Sequence, residues 1–184
     1  ATAVASPLLT PFKLTFFTAL FIVMPIVLFQ IWNFIAPGLY KKEKRFAIPL
    51  LMTSILLFYC GIAFAYFVVF PLMFGFFVSI APAGVEMQTD ITQFLDFITT
   101  IVFAFGIAFE VPVATVLIVW AGLTDTEKLA KARPYVFLMA FIAGMFLTPP
   151  DVISQTLLAV PVYLLFELGI IMSKVFVNKK LDDE

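Results

Sequence analysis

Residues 46–70 read FAIPLLMTSILLFYCGIAFAYFVVF, twenty-five positions without one charged side chain. An α-helix rises about 1.5 Å per residue, so about 20 apolar residues cross a hydrocarbon core about 30 Å thick. The stretch is therefore long enough to span a membrane. Directly before it stands Lys41-Lys42-Glu43-Lys44-Arg45, a cationic cluster of the kind that stays on the cytoplasmic side of a spanning helix. Working outward, four more apolar segments appear: Leu14–Ile35, Ile91–Leu123, Tyr135–Leu147 and Val152–Met172. The third segment in chain order exceeds a single crossing and predicts tilt or a protruding end. The fourth, Tyr135–Leu147, is too short for an undisturbed bilayer, but only the turn Thr148-Pro149-Pro150-Asp151 joins it to the fifth. It counts as a span.

Composition agrees. Of 184 residues, 63% are hydrophobic and 12% charged, mean hydropathy is +1.11 and Phe occurs 24 times. A soluble domain is roughly 45–50% apolar and about 25% charged, so this chain cannot cover its core with polar surface in water. With no His in the sequence, a Ser–His–Asp triad, a His base and a His-ligated metal are all excluded. The single cysteine, Cys60, supports neither a disulfide framework nor a thiolate cluster, and no phosphate-binding glycine loop is present. No metal and no cofactor is expected, nor a nucleic-acid partner. The first residue is Ala and no basic leader precedes the apolar runs, so an incomplete or processed product is expected.

If five spans alternate, ten of the eleven basic residues fall on one side, in the loops at about 38–45, 124–134 and 173–184; only Lys13 lies opposite. The positive-inside rule then makes those loops and the carboxyl end cytoplasmic, and the amino end external. Trp32, Tyr40, Trp120 and Tyr135 fall near the cytoplasmic boundary, as an aromatic belt would. Asp90 to Gln93 and Thr124 to Glu127 resemble capping boxes, and Asp151 is placed to cap the last span. The external stretch from Phe74 to Thr89 reads as a piece lying at the interface. The expected fold is an all-α integral membrane protein, a single transmembrane domain over residues 1–184. Its five predicted helices, two of them short, form a curved, concave bundle bent at Pro25, Pro112 and Pro161.

Glu110 stands out among the polar residues. A charge at the centre of a span costs roughly 2.5–3.5 kcal/mol on insertion scales, so the group calls for a hydrogen-bond partner. That partner is either a neighbouring helix or an incoming segment. Pro112 lacks the N–H that would engage the carbonyl of Ala108. Met145, Thr148 and Gln155 form an adaptable, partly polar patch near the external end, for which simple capping and packing is the alternative. Glu167 lies close to the cytoplasmic end and reads as structural. Gln30 and Asn33 read as interhelical hydrogen bonders, and Asp96 suits the helix dipole. Glu43 is a carboxylate among cations: a weak surface ion pair, or a group that grips guanidinium in two-bonded geometry. Composition does not choose between these.

The string Gln30-Ile31-Trp32-Asn33-Phe34-Ile35-Ala36-Pro37-Gly38-Leu39-Tyr40-Lys41-Lys42-Glu43-Lys44-Arg45 closely resembles the TatC family, the multispanning receptor subunit of the twin-arginine (Sec-independent) protein translocase. Four further stretches match in family order: residues 64–71, 105–112, 133–135 and 147–151. The resemblance implies a noncatalytic receptor in a bacterial-type inner membrane. Such a receptor binds twin-arginine signal peptides and passes folded proteins across the membrane with TatA and TatB, using the proton motive force. By the same resemblance Glu43 and Phe34 contact the signal peptide, and Glu110 is the intramembrane polar site on the concave face. Met145, Thr148 and Gln155 dock partner helices, and Asp151 is the acidic residue of the external turn. A homo-oligomer within a hetero-oligomeric complex is expected, surrounded by lipid. The family has six spans, so the first span and part of the signal-binding surface are expected to be missing here. Two other classes compete. A secondary transporter draws support from Glu110 but lacks an inverted repeat, and an intramembrane hydrolase lacks a nucleophile–base pair.

Overall fold

The computed structural model describes residues 6–35, 44–80, 91–147 and 152–182. Among them there is no strand. Helix α1 runs Ser6–Ile35, α2 Lys44–Phe64, α3 Phe70–Ile80, α4 Ile91–Ala108, α5 Val111–Trp120, α6 Thr126–Lys131, α7 Arg133–Leu147 and α8 Val152–Asp182. Four stretches are long and apolar enough to cross a membrane: Leu9–Phe34, Ile48–Ser79, Ile91–Trp120 and Val152–Val175. The fourth expected span is α7, whose 15 residues make about 22 Å of helix. The helical membrane fold is as expected, and α7 is the short member.

Prolines shape each long helix differently. Helices α2 and α3 are joined by a single π turn, Ala65–Val69, in which the N–H of Phe70 bonds back to the carbonyl of Ala65. The wider turn comes just before Pro71, whose ring would clash with the carbonyl four residues earlier in a regular helix. The rod therefore continues to Ile80, so Phe74 to Ile80 extends the second span instead of forming a separate interfacial piece; the rest of that piece lies outside the described residues. In the third span, Pro112 breaks the helix at Phe109–Glu110, where the N–H of Glu110 takes the carbonyl of Ile107 at 3.0 Å, a tighter turn than α. Helix α5 ends at Trp120, short of the expected Leu123. Gly122 adopts φ 72°, Leu123 bonds to the carbonyl of Ile118 and Gly122 to that of Val119. This is a Schellman stop, which needs a residue free to turn left-handed.

Packing centres on α8, which lies along α5 and α7, and on α2 crossing α4. At that crossing, a Cβ on Gly61 would sit 2.5 Å from the carbonyl oxygen of Phe105, so only glycine lets the two backbones approach so closely. One cluster buries Ala65, Val69, Phe70 and Met73 against Ile101, Val102, Phe105 and Leu158. A second joins Trp32 of α1 to Leu50, Val113 and Val116. Trp32 is thus 5% exposed inside the protein, not part of a lipid-facing belt, because it sits on the side of α1 that meets α2 and α5. Tyr135, at 71% exposed, does face outward. The amino-terminal half of α1 is lightly packed: Phe12, Phe16 and Ile22 are all at least 65% exposed. Such a surface is stable in hydrocarbon and not in water.

Candidate functional site

The break ahead of Pro112 turns the side chain of Glu110 toward α2, where the buried hydroxyl of Ser54 donates a 2.5 Å hydrogen bond to its Oε2. The other oxygen, Oε1, is buried without a hydrogen-bond partner among the described residues. Glu110 holds the N-cap position of α5, but its backbone is in the right-handed helical region (φ −78°, ψ −15°) and its side chain makes no cap bond. Ordinary N-caps are extended, which lets the side chain reach back to the first N–H groups. Here the carboxyl is directed across the helix pair instead. Inside an apolar bundle it has one engaged oxygen and one buried oxygen without a partner among the described residues.

Beside this turn runs an apolar groove of about 530 Å³ between α1, α4, α7 and α8. Phe17, Phe103, Ala104, Ala140 and Leu158 line it, and it reaches Ala108 and Val111, the residues on either side of the Phe109–Glu110 turn. The residue whose carbonyl Pro112 leaves without an in-helix donor, Ala108, is therefore on the groove wall. Phe17 and Phe103 close one side at a ring separation of 5.6 Å, and Phe21 stacks on Phe103 at 4.6 Å.

The expected site residues that are described divide among three places. Gln155, half-buried on α8, lies against α7: a Cβ on Gly144 would meet its backbone at 3.5 Å. Met145, next along α7, is 52% exposed at the same end of that hairpin. Phe34, near the end of α1, is 87% exposed. Glu110 takes its partner from α2, apart from the α7–α8 hairpin. Glu43, Thr148 and Asp151, with Tyr40 and the Asp90 cap, lie outside the described residues. At the start of α6 the cap is Asp125, one residue later than the expected Thr124, and it makes no side-chain cap bond. Its carboxylate pairs with Lys128 at 3.3 Å instead.

Several polar partnerships were not readable from sequence. Arg133 Nη2 donates to Glu167 Oε2 at 2.8 Å, and its Nε forms a close ionic contact with Oε1 at 2.6 Å, so one hydrogen bond and one ion pair join α7 to α8. The hydrogen bond to Glu167, and then its charge, hold the Arg133 guanidinium above its ordinary pKa. Lys13 donates to both carboxylate oxygens of Asp96 at 2.9 Å, which gives Asp96 a partner beyond the helix dipole. Tyr59 Oη donates to the carbonyl of Phe21 at 2.9 Å. Phe21 is four residues before Pro25, so its carbonyl has no in-helix donor, and α2 supplies one. Charge parity could have suggested Lys13–Asp96, because Lys13 is the lone base at its end. Nothing local signals Ser54 or Tyr59. Among the described residues no group of His, Cys, Asp or Glu could hold a metal ion.

Comparison with known proteins follows from this geometry. Residues 1–161 match the family described as Sec-independent protein translocase protein (TatC). The Sec-independent protein translocase protein TatC of Azotobacter chroococcum is 64% identical over 170 residues, 92% of this chain and 67% of that protein. The TatC protein of Escherichia coli K12 is 58% identical over 179 residues, 97% of this chain and 69% of that one. A crystal structure of the twin arginine translocase receptor TatC in DDM superposes with a TM-score of 0.85 at 37% identity, covering 94% of this chain and 77% of that chain. A second TatC receptor structure gives 0.82 at 38% identity, over 92% of this chain and 75% of that one.

Proposed function

Because this chain belongs to the TatC family of Sec-independent protein translocase proteins, a nonenzymatic membrane component of the twin-arginine translocase, we propose that it reads twin-arginine signal peptides and gathers the partner helices that move folded cargo. In this reading the arginine pair of the signal meets Glu43 and Phe34 at the cytoplasmic face of a bacterial-type inner membrane. The apolar part of the signal follows the groove toward Glu110. TatA and TatB helices dock at Met145, Thr148 and Gln155, Asp151 shapes the external turn, and the proton motive force drives export.

The observation that carries the proposal is a buried Glu110 oxygen without a partner among the described residues, one position before Val111 on the wall of an apolar groove. Lipid offers little hydrophobic drive for helix association, so an incoming segment gains specificity from shape and from a few hydrogen bonds. A lone carboxyl next to a groove supplies both. The cytoplasmic contact rests on chemistry: a carboxylate takes a guanidinium through two parallel bonds, which an ammonium cannot reproduce.

The test uses the full-length protein in membranes that contain TatA and TatB. Glu43→Ala should weaken binding of a twin-arginine peptide more than that of a twin-lysine control, and equal losses would refute the contact. Photocrosslinkers at Ala104 in the groove and at Met145 should capture the signal peptide and the partner helices respectively. Failure of Ala104 to crosslink signal peptide, while Met145 still captures a partner, would remove the groove from the pathway.

A further inference from the structure

Hydroxyls in these helices follow a default. Thr15, Thr18, Thr53, Thr99, Thr156 and Ser173 each donate to the carbonyl four residues earlier, at 2.6–2.8 Å. That bond is the cheapest available inside a helix, since donor and acceptor are already held together by the backbone. Ser54 follows Thr53 directly and has the carbonyl of Leu50 within the same reach by chain spacing. It bonds instead across the helix boundary to Glu110, 56 positions away. Glu110 likewise passes over its own local option, for it sits at the N-cap of α5 without capping it. Two groups that each have a default nearby are joined to each other.

We propose that Ser54 is a positioning residue: it claims Oε2 of Glu110 and so holds the carboxyl in one orientation, leaving Oε1, buried and without a partner among the described residues, to a donor that the incoming segment brings as it packs between the helices. The inference rests on the reading of Glu110 as a docking group. A glutamate side chain with three rotatable bonds would otherwise lose that freedom only on binding, and fixing it beforehand removes the cost from the encounter. Ser54 is suited to the task because it is 1% exposed, so neither water nor lipid headgroups compete for the bond. Its short side chain also leaves the donor little room to wander.

The experiment measures translocation by the full-length protein with its partner subunits, together with the infrared carboxyl band that disappears in Glu110→Gln. Ser54→Ala should shift that band and slow translocation about fivefold to tenfold, the loss of one buried hydrogen bond to a carboxyl. Ser54→Thr should restore both to within about twofold, because it keeps the donor. Thr53→Ala, which removes a back-bonded hydroxyl on the same turn, should move neither. Ser54→Cys preserves the side-chain size with a weaker donor, so a folded Ser54→Cys protein with an unshifted band overturns the proposal. So does Ser54→Ala that moves neither band nor rate while Glu110→Gln abolishes transport. If instead Glu110→Leu, which has no acceptor, translocates normally, the docking reading of Glu110 fails, and the positioning role falls with it.

Discussion

A carboxylic acid in the middle of a hydrocarbon slab costs roughly 2.5–3.5 kcal/mol on insertion scales, and Glu110 offsets only part of that through one bond from Ser54. The charged pairs at the two ends of the bundle are in a different regime. Lys13–Asp96 is 40% and 50% exposed, and such pairs contribute about 0–1 kcal/mol because water and salt screen them. Arg133–Glu167 is less open on the carboxylate side, at 24%, and adds a close ionic contact to its hydrogen bond. Arg133→Ala should therefore lower stability in detergent more than Lys13→Ala does. Arg133→Lys should recover less than half of the loss, because an ammonium is one point charge and lacks the rigid planar fork that meets Glu167 from two nitrogens. Denaturant titration of the three variants would read these differences, and equal effects for Arg133→Ala and Lys13→Ala would contradict them.

At the scale of helices, proline decides where neighbouring elements must interact. Pro25 leaves the carbonyl of Phe21 without its in-helix donor, and Tyr59 of α2 fills the vacancy at 2.9 Å. The bond ties α2 to the lightly packed amino-terminal half of α1, which carries Phe17 on the groove wall. Tyr59→Phe should cost about 1 kcal/mol, the typical net worth of one hydrogen bond. In a Pro25→Ala background the regenerated N–H supplies the carbonyl, so Tyr59→Phe should there be close to neutral. A double-mutant cycle on denaturant unfolding measures that coupling, and strict additivity would mean that the hydroxyl is not answering the proline. The π turn before Pro71 and the break before Pro112 obey the same logic with different outcomes. In the first, one wider turn absorbs the ring and the rod goes on; in the second, the helix restarts and the freed space turns a carboxyl inward.

Over the whole molecule, the basic residues make a claim about sides. With the loops at 38–45, 124–134 and 173–184 in the cytoplasm, Lys13 lies outside. An impermeant amine reagent applied to intact cells should modify Lys13, and reach Lys128 and Lys131 only after the membrane is opened. Labelling of Lys128 from outside would invert the topology and remove Glu43 from the face where signal peptides arrive. The length mismatch belongs to this scale too. Helix α7 supplies about 22 Å of helix against a core of about 30 Å, while the stretch Ile48–Ser79 supplies about 48 Å, so the bundle presents unequal walls to the bilayer.

What the sequence by itself determined is whatever adds up locally. Apolar length, the absence of His, the positions of Lys and Arg and the location of each proline all act through the chain's immediate surroundings. They establish a membrane-spanning helical protein, the short α7 and the isolated Glu110. The order of the matching stretches points to the family. Tertiary structure alone decided partnership. Ser54 with Glu110, Tyr59 with the carbonyl of Phe21, and Arg133 with Glu167 join residues 56, 38 and 34 positions apart. No periodicity encodes which face of one helix meets which face of another. Trp32 shows the same limit: its sequence position suggested a belt at the lipid boundary, yet the crossing of α1 over α2 and α5 buried it. In hydrocarbon every helix is apolar all round, so the pattern that betrays a buried face in water is erased, and only the packed bundle reveals it.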